Sequence, residues 1–425
     1  MKPKLNIKQT VLLSFGFFAS SLIWQVYSAY VPAILEERFL LSTLAIGWIM
    51  AIDSIFGVVI QPVFGRLSDK TRTRFGRRLP YLFVCMPICA VLFIFIPYMQ
   101  NLWSLMGVVI IFTFVMGIWR TPAVSLMPDM TPGPLQSQAN GTVNLMGAAG
   151  AIIALAGGGI LFGLGGFPLP FLVAAIFVLG AMGVLALFVR EPKIPHSGSK
   201  AKSRKLDKAI FDLPKAEKKS MIFLLLAIFF WFAGYNAVDT FFSLYAINSL
   251  GITAGEASLL LSLFAATLVL FAIPAGILGA KFGRRKVIMV GLIVLTGLFF
   301  PMIFVTEVWF TGGMLLIGGA FWACVNINSL PMIAKMSGPQ RVGAFIGYYY
   351  LFSFSAQIIT PPLFGWIRDV VGHFQVMFVY AIVGFALAIV CMFFVKHGEE
   401  PTGPVEAGAE PVVVQDSEAD AGEEQ

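Results

Sequence analysis

The chain has 425 residues, 58% of them hydrophobic and only 12% charged, with a formal net charge of +7. A soluble domain carries about 25% charged residues, so a soluble globule is excluded, and the mean hydropathy of +0.86 points to many membrane spans. The positive excess lies in short segments between apolar runs, where membrane orientation accounts for it and no nucleic-acid partner is expected.

A membrane helix needs about 20 mostly apolar residues. That rule predicts twelve spans, at 10–34, 43–66, 80–98, 102–127, 140–164, 169–189, 221–247, 256–280, 286–305, 309–333, 342–366 and 373–396. The first apolar run reaches Pro32, too long for a signal-peptide core and without a small-residue cleavage site, so it reads as a retained span. Lys2, Lys4 and Lys8 precede it. After span 2 comes a strongly basic loop, Gly65-Arg66-Leu67-Ser68-Asp69 through Phe75-Gly76-Arg77-Arg78-Leu79-Pro80. A compressed copy, Gly276 to Lys286, follows span 8. Between spans 6 and 7 lies a long polar, basic linker with Pro192, Pro195 and Pro214. The facing loops hold only Arg38 and Arg368. This asymmetry puts both termini and the linker in the cytoplasm and the multi-pass chain in the cell membrane.

The recurring basic loop divides the chain into two six-span halves, 1–190 and 221–397, joined by a linker at 191–220. The fold class is therefore an all-α membrane protein, with a substrate site near the midplane between the halves. Residues 398–425 are acidic and rich in Gly, Ala and Pro, and are expected to be disordered. Cys85, Cys89, Cys324 and Cys391 fall inside apolar segments and read as small buried apolar residues. His196, His373 and His397 form no cluster that would hold zinc or run a Ser-His-Asp reaction. Neither an enzyme nor a cofactor is expected.

Gly65 to Asp69 followed by Gly-Arg-Arg resembles the loop between helices 2 and 3 of the major facilitator superfamily. The stretched spacing of Ile60-Gln61-Pro62, Gly65, Ser68-Asp69, Thr73, Phe75-Gly76-Arg77-Arg78 and Pro80 is more specific. It resembles the plant sucrose transporters and their animal and bacterial relatives, in the glycoside–pentoside–hexuronide:cation symporter group. Thr121-Pro122-Ala123 through Leu126 and Asp129 fits the same group, and Asn326-Ile327-Asn328-Ser329-Leu330-Pro331 fits it more loosely. The resemblance implies the twelve-helix major facilitator fold and symport of a sugar, a disaccharide or other glycoside, by alternating access. There is a departure: the span-4 Asp and the following substrate-binding Arg of the plant transporters match Thr113 and Val124 here, with Arg120 one turn earlier. Coupling chemistry is therefore not transferred directly.

Charges at mid-membrane cost about 2.5–3.5 kcal/mol even on a lenient scale, so each one marks function by default. Three fall inside spans: Asp53, Arg120 and Asp239. Asp53 and Asp239 are the coupling candidates, for protons in preference to Na⁺. Arg120 either couples or donates forked hydrogen bonds to sugar hydroxyls. The alternative for Asp53 is a standing ion pair with Arg120. Amides that match hydroxyls and aromatic faces that pack on a sugar ring come from Trp24, Gln25, Tyr27, Asn144, Tyr235, Asn236, Trp322, Asn326, Tyr350 and Gln357. Asp69, Arg77, Arg78 and Asp129 sit at cytoplasmic helix ends and read as a gate. The expected partners are a sugar and the lipid bilayer, and a monomer is the expected state. A drug or metabolite exporter of the same fold and a non-transporting sugar sensor are the alternatives.

Overall fold

The protein is seen in a computed structural model that describes residues 5–132, 135–191, 214–337 and 342–397. The described residues form twelve long helices. They are α1 (Ile7–Phe39), α2 (Thr43–Lys70), α3 (Leu79–Phe95), α4 (Leu102–Met130), α5 (Gln136–Ile152, continuing as Gly158–Gly165), α6 (Pro168–Phe188), α7 (Lys215–Tyr245), α8 (Ala254–Phe282), α9 (Arg284–Met302), α10 (Val308–Ser337), α11 (Val342–Val371) and α12 (Val376–Phe393). α5 is interrupted by a π turn at Ile153–Gly157, and α7 ends in another at Ala246–Leu250. Among the described residues, eleven helices are long and apolar enough to cross a membrane. The all-α expectation holds. Most of the linker and the acidic tail from 398 onward lie outside the described residues.

Several helices run beyond the apolar windows: α1 continues to Phe39, α2 to Lys70, and α7 begins at Lys215. Hydropathy sees only the apolar length, whereas a helix continues until its backbone finds caps. Asn6, Ser42 and Asn101 cap α1, α2 and α4 with their side-chain oxygens. α8 starts with a capping box, in which Thr253 accepts from the Glu256 N–H and Glu256 accepts in return. For the same reason Arg38 and Arg368 are not in loops but in the last turns of α1 and α11. Arg38 donates to the Pro97 carbonyl, and the Arg368 guanidinium lies 4.1 Å from the centre of the Phe374 ring.

The first six helices pack chiefly on one another: α1 on α5, α6 and α4, α3 on α4 and α6, and α2 on α4. Among the last six, α8 packs on α10, α7 on α12, and α9 on both α10 and α12. The two groups meet mainly along α2 with α11 and α5 with α8. At one end of the bundle these seams close to backbone contact. A Cβ on Gly47 of α2 would strike the Pro361 carbonyl of α11, and one on Gly365 of α11 would strike the Thr43 carbonyl of α2. Ser258 of α8 donates to the Leu155 carbonyl of α5 at 2.8 Å, and Asn248 beyond α7 donates to Glu36 of α1 at 2.8 Å. This sealed end is opposite to the one that carries the basic segments Arg66–Arg78 and Lys281–Lys286.

Candidate functional site

Midway along the bundle, between the two groups of helices, lies a cavity of about 350 Å³. Helical period decides which residues reach it. On α2 the lining residues Met50, Asp53, Ser54, Gly57 and Gln61 recur at three- and four-residue steps. On α7 Phe232, Tyr235, Asn236, Asp239 and Thr240 do the same, and on α11 Tyr349, Tyr350, Ser353, Phe354, Gln357 and Pro361. α1 adds Trp24, Gln25 and Ser28, and α4 adds Arg120. The cavity is shut at the sealed end. Toward the basic end its boundary includes Gln61 and Tyr350, and Tyr350 is 47% exposed.

All three intramembrane charges line this one cavity. Asp53 and Arg120 come from the first six helices and Asp239 from the last six. Among the described residues no carboxylate–guanidinium contact within 4.0 Å joins Asp53 to Arg120. The standing ion pair is therefore absent in this conformation. Arg120 lies 6.0 Å from the centre of the Trp24 ring, within cation–π range. Asp239 accepts a 3.1 Å hydrogen bond from the Tyr235 hydroxyl one turn earlier. Asn236 is 7% exposed, and among the described residues its amide nitrogen has no partner. Thr113, which stands where the plant sucrose transporters have an acid, is fully buried and donates to the Val109 carbonyl at 2.9 Å.

Nine of the expected site residues line the cavity: Trp24, Gln25, Asp53, Arg120, Tyr235, Asn236, Asp239, Tyr350 and Gln357. Four do not. Tyr27 is fully buried, stacked 5.6 Å from Phe112. Trp322 stands behind the wall, its ring 4.4 Å from Tyr235 and nearly parallel to it. Asn326 lends its carbonyl to Ser329, and Asn144 is exposed on α5. Ser54, Thr240 and Phe354 were missed, although the helical face through Asp53 and the one through Asp239 would have found the first two. Behind Asp239, Trp322 helps line a small apolar pocket with Leu261, Phe264, Leu295, Phe299 and Phe385.

At the basic end, Asp69, Arg77, Arg78 and Asp129 come together on the first six helices. Arg77 and Arg78 both donate to Asp129, through Nε at 3.1 and 2.9 Å, and Arg78 also reaches Asp69 and Ser68. Sequence reading missed the residue that organises this corner. Glu191, just beyond α6, accepts from the backbone N–H groups of Arg78 and Leu79, both at 2.8 Å, and from that of Arg77. It therefore caps the start of α3, whose donors have no intrahelical partner. Gly76, at φ +110°, packs so closely that a Cβ would strike the Glu191 carboxylate. Glu191→Ala is expected to lower stability by about 1–3 kcal/mol, the cost of unsatisfied buried donors. Thermal unfolding of the purified protein measures it, and an unchanged midpoint would leave Glu191 without this role.

Twelve helices in two groups around one central, charge-bearing cavity agree with the comparison to protein families. The model described as Major Facilitator Superfamily matches residues 13–255 and 224–419. The chain belongs to the Major Facilitator Superfamily. It is a multi-pass membrane transporter of small molecules and not an enzyme. A multidrug resistance protein, MdtG, of Proteus mirabilis (strain HI4320) is 25% identical over 382 residues, covering 86% of this chain and 90% of that one. The maltose permease of Geobacillus stearothermophilus is 24% identical over 328 residues, 77% of this chain and 78% of the permease. The mouse membrane-associated transporter protein is 34% identical over 82 residues only, 19% of this chain and 15% of that protein. Among solved structures, a bacterial homologue of the human lysosomal transporter Spinster, in an inward-facing, occupied conformation, superposes with a TM-score of 0.71. It covers 92% of this chain and 95% of its own at 14% identity.

Proposed function

We propose that this superfamily member is a proton-coupled symporter of a neutral polyhydroxyl solute, a sugar or glycoside. One observation carries the reading: a single cavity is lined by Asp53 from one half and Asp239 from the other, among amides, hydroxyls and ring faces. Gln25, Asn236 and Gln357 offer amide donors and acceptors, Ser28, Ser54, Thr240 and Ser353 offer hydroxyls, and Trp24 and Tyr350 offer flat apolar faces. That mixture matches a ring with alternating C–H and O–H surfaces. With the basic loops facing the cytoplasm, the cavity is open inward, and the two halves rock about it to expose it alternately. These two carboxylates give each half a group whose protonation changes the charge that the solute meets. Protons suit these sites better than Na⁺. Each carboxylate can take up a proton alone, whereas a metal ion needs several oxygen ligands converging on one point. The resemblance of the basic loop to sugar symporters and the printed name of the maltose permease lend the reading support.

A second reading is export of drugs or other amphipathic solutes. The apolar pocket behind Asp239 favours it, since a greasy recess beside a carboxylate suits an amphipathic cation. The name of the MdtG relative points the same way. Reconstituted vesicles given a panel of radiolabelled sugars, with an imposed proton or Na⁺ gradient, decide between them. Uphill sugar accumulation driven by protons is the expected result. Stabilisation by hydrophobic cations, with no sugar taken up, would give the exporter reading the field.

A further inference from the structure

The sealed end of the bundle has a polar closure that belongs to neither the cavity nor the basic cluster. Asp369 lies in the last turn of α11, and its carboxylate reaches across to the first turn of α2. Oδ1 accepts from the Thr43 N–H at 3.0 Å and Oδ2 from the Leu44 N–H at 2.9 Å. The next N–H, that of Ala45, goes to Ser42 at 3.2 Å. The first three backbone donors of α2 are thus satisfied, two of them by the other half of the protein. A helix start carries partial positive charge, so a carboxylate is the strongest side-chain acceptor for it.

The surrounding geometry brings the two helices into backbone contact here, and Arg368 Nη1 of the same helix lies 3.4 Å from the carboxylate. One turn before Asp369, Gly365 lies against the Thr43 carbonyl so closely that a Cβ would strike it. The same step, Gly365-Trp366-Ile367-Arg368-Asp369, repeats the spacing of Gly65-Arg66-Leu67-Ser68-Asp69 at the basic end of α2. In both places a glycine lets a helix approach a neighbour and an acid follows one turn on. When α11 and α2 part, the carboxylate loses both backbone donors together, and they lose it.

We propose that Asp369, seated on the first two backbone N–H groups of α2, is the latch that holds the transporter closed at the end opposite its basic loops. The proposal rests on alternating access but on no particular solute. Opening that end breaks two charge-assisted hydrogen bonds at once. Removing the acid shifts the resting population toward the conformation open at that end.

The test is the distance between the two halves, read by pulsed electron-spin spectroscopy on the full chain in lipid nanodiscs. Spin labels go on Trp103→Cys and Trp309→Cys, exposed residues (83% and 92%) in the first turns of α4 and α10 at the sealed end. The four native cysteines are replaced by alanine. Asp369→Ala is expected to raise the ratio of long to short distances about tenfold or more, the scale of lost hydrogen bonds to a charged group. Thr43→Pro is the second variant. Proline is accommodated at the first helical position, Ser42 before it is already extended at φ −62° and ψ 152°, and the change deletes the Thr43 N–H and hydroxyl while Asp369 and the Leu44 N–H remain. It is expected to shift the ratio in the same direction by a smaller factor. Distance distributions unchanged in Asp369→Ala would overturn the latch. So would a shift in Asp369→Ala with none in Thr43→Pro, because the acid would then act through something other than the helix start. No solute is present, so a failed sugar panel leaves this result intact, and an unmoved distance leaves the solute reading intact.

Discussion

Vesicles carrying Asp53→Asn are expected to exchange solute at equilibrium yet lose accumulation against a gradient. One pH unit across the membrane is worth about 1.4 kcal/mol per coupled proton, so the accumulation ratio should fall about tenfold for each unit imposed. Asp53 is 9% exposed, halfway along α2, and lines the cavity. Among the described residues no carboxylate–guanidinium contact within 4.0 Å fixes it to Arg120 in this conformation. Asparagine keeps the shape and the hydrogen-bonding capacity but cannot release a proton. Retained exchange separates lost coupling from lost binding or folding. The companion Asp239→Asn separates the two halves, since Asp239 has a hydroxyl partner in Tyr235 and, among the described residues, Asp53 has none. Proton-driven accumulation at the wild-type level in Asp53→Asn would remove Asp53 from coupling altogether.

Asp129→Ala is expected to be the most destabilising of these changes. The side chains of Asp129 and Arg78 are 5% and 6% exposed, and Arg77 is 16% exposed. One carboxylate therefore serves two guanidinium groups away from water. Deleting one partner of a buried ion pair leaves uncompensated charge and costs about 3–5 kcal/mol. Asp69, 54% exposed, is too well solvated to take over, since exposed pairs contribute about 0–1 kcal/mol. Thermal unfolding should show the loss, with Asp69→Ala as the mild control. Equal effects from both acids would contradict the burial argument.

The spans and the fold were legible because length and apolarity are local properties of the chain. The cavity charges were legible for a related reason: a charge within an apolar run is costly wherever the helix faces, so Asp53, Arg120 and Asp239 announce themselves. Aromatic residues carry no such signal. Tyr27 and Trp24 are neighbours on α1, yet one is core and the other lines the cavity. The rotation of α1 against α4 and α5 decides which, and nothing in α1 encodes it. Glu191 and Asp369 were missed for a different reason. Their partners are backbone groups of Leu79 and Thr43, 112 and 326 residues away in the chain. A backbone N–H has no residue type by which to recognise it.

The π turn at Ile153–Gly157 amounts to one surplus residue that the fold has kept inside α5. Beyond it, Gly158 meets the Tyr30 hydroxyl and Gly159 meets the Gly255 carbonyl of α8. Each residue turns a helix by about 100°. Removing one position from the turn would restore regular winding and swing both glycines off their partners, while leaving every residue type beyond it unchanged. The seam between α5 and α8 is therefore written partly in the count of residues, and a gap of one there in an aligned relative would mark a differently built seam.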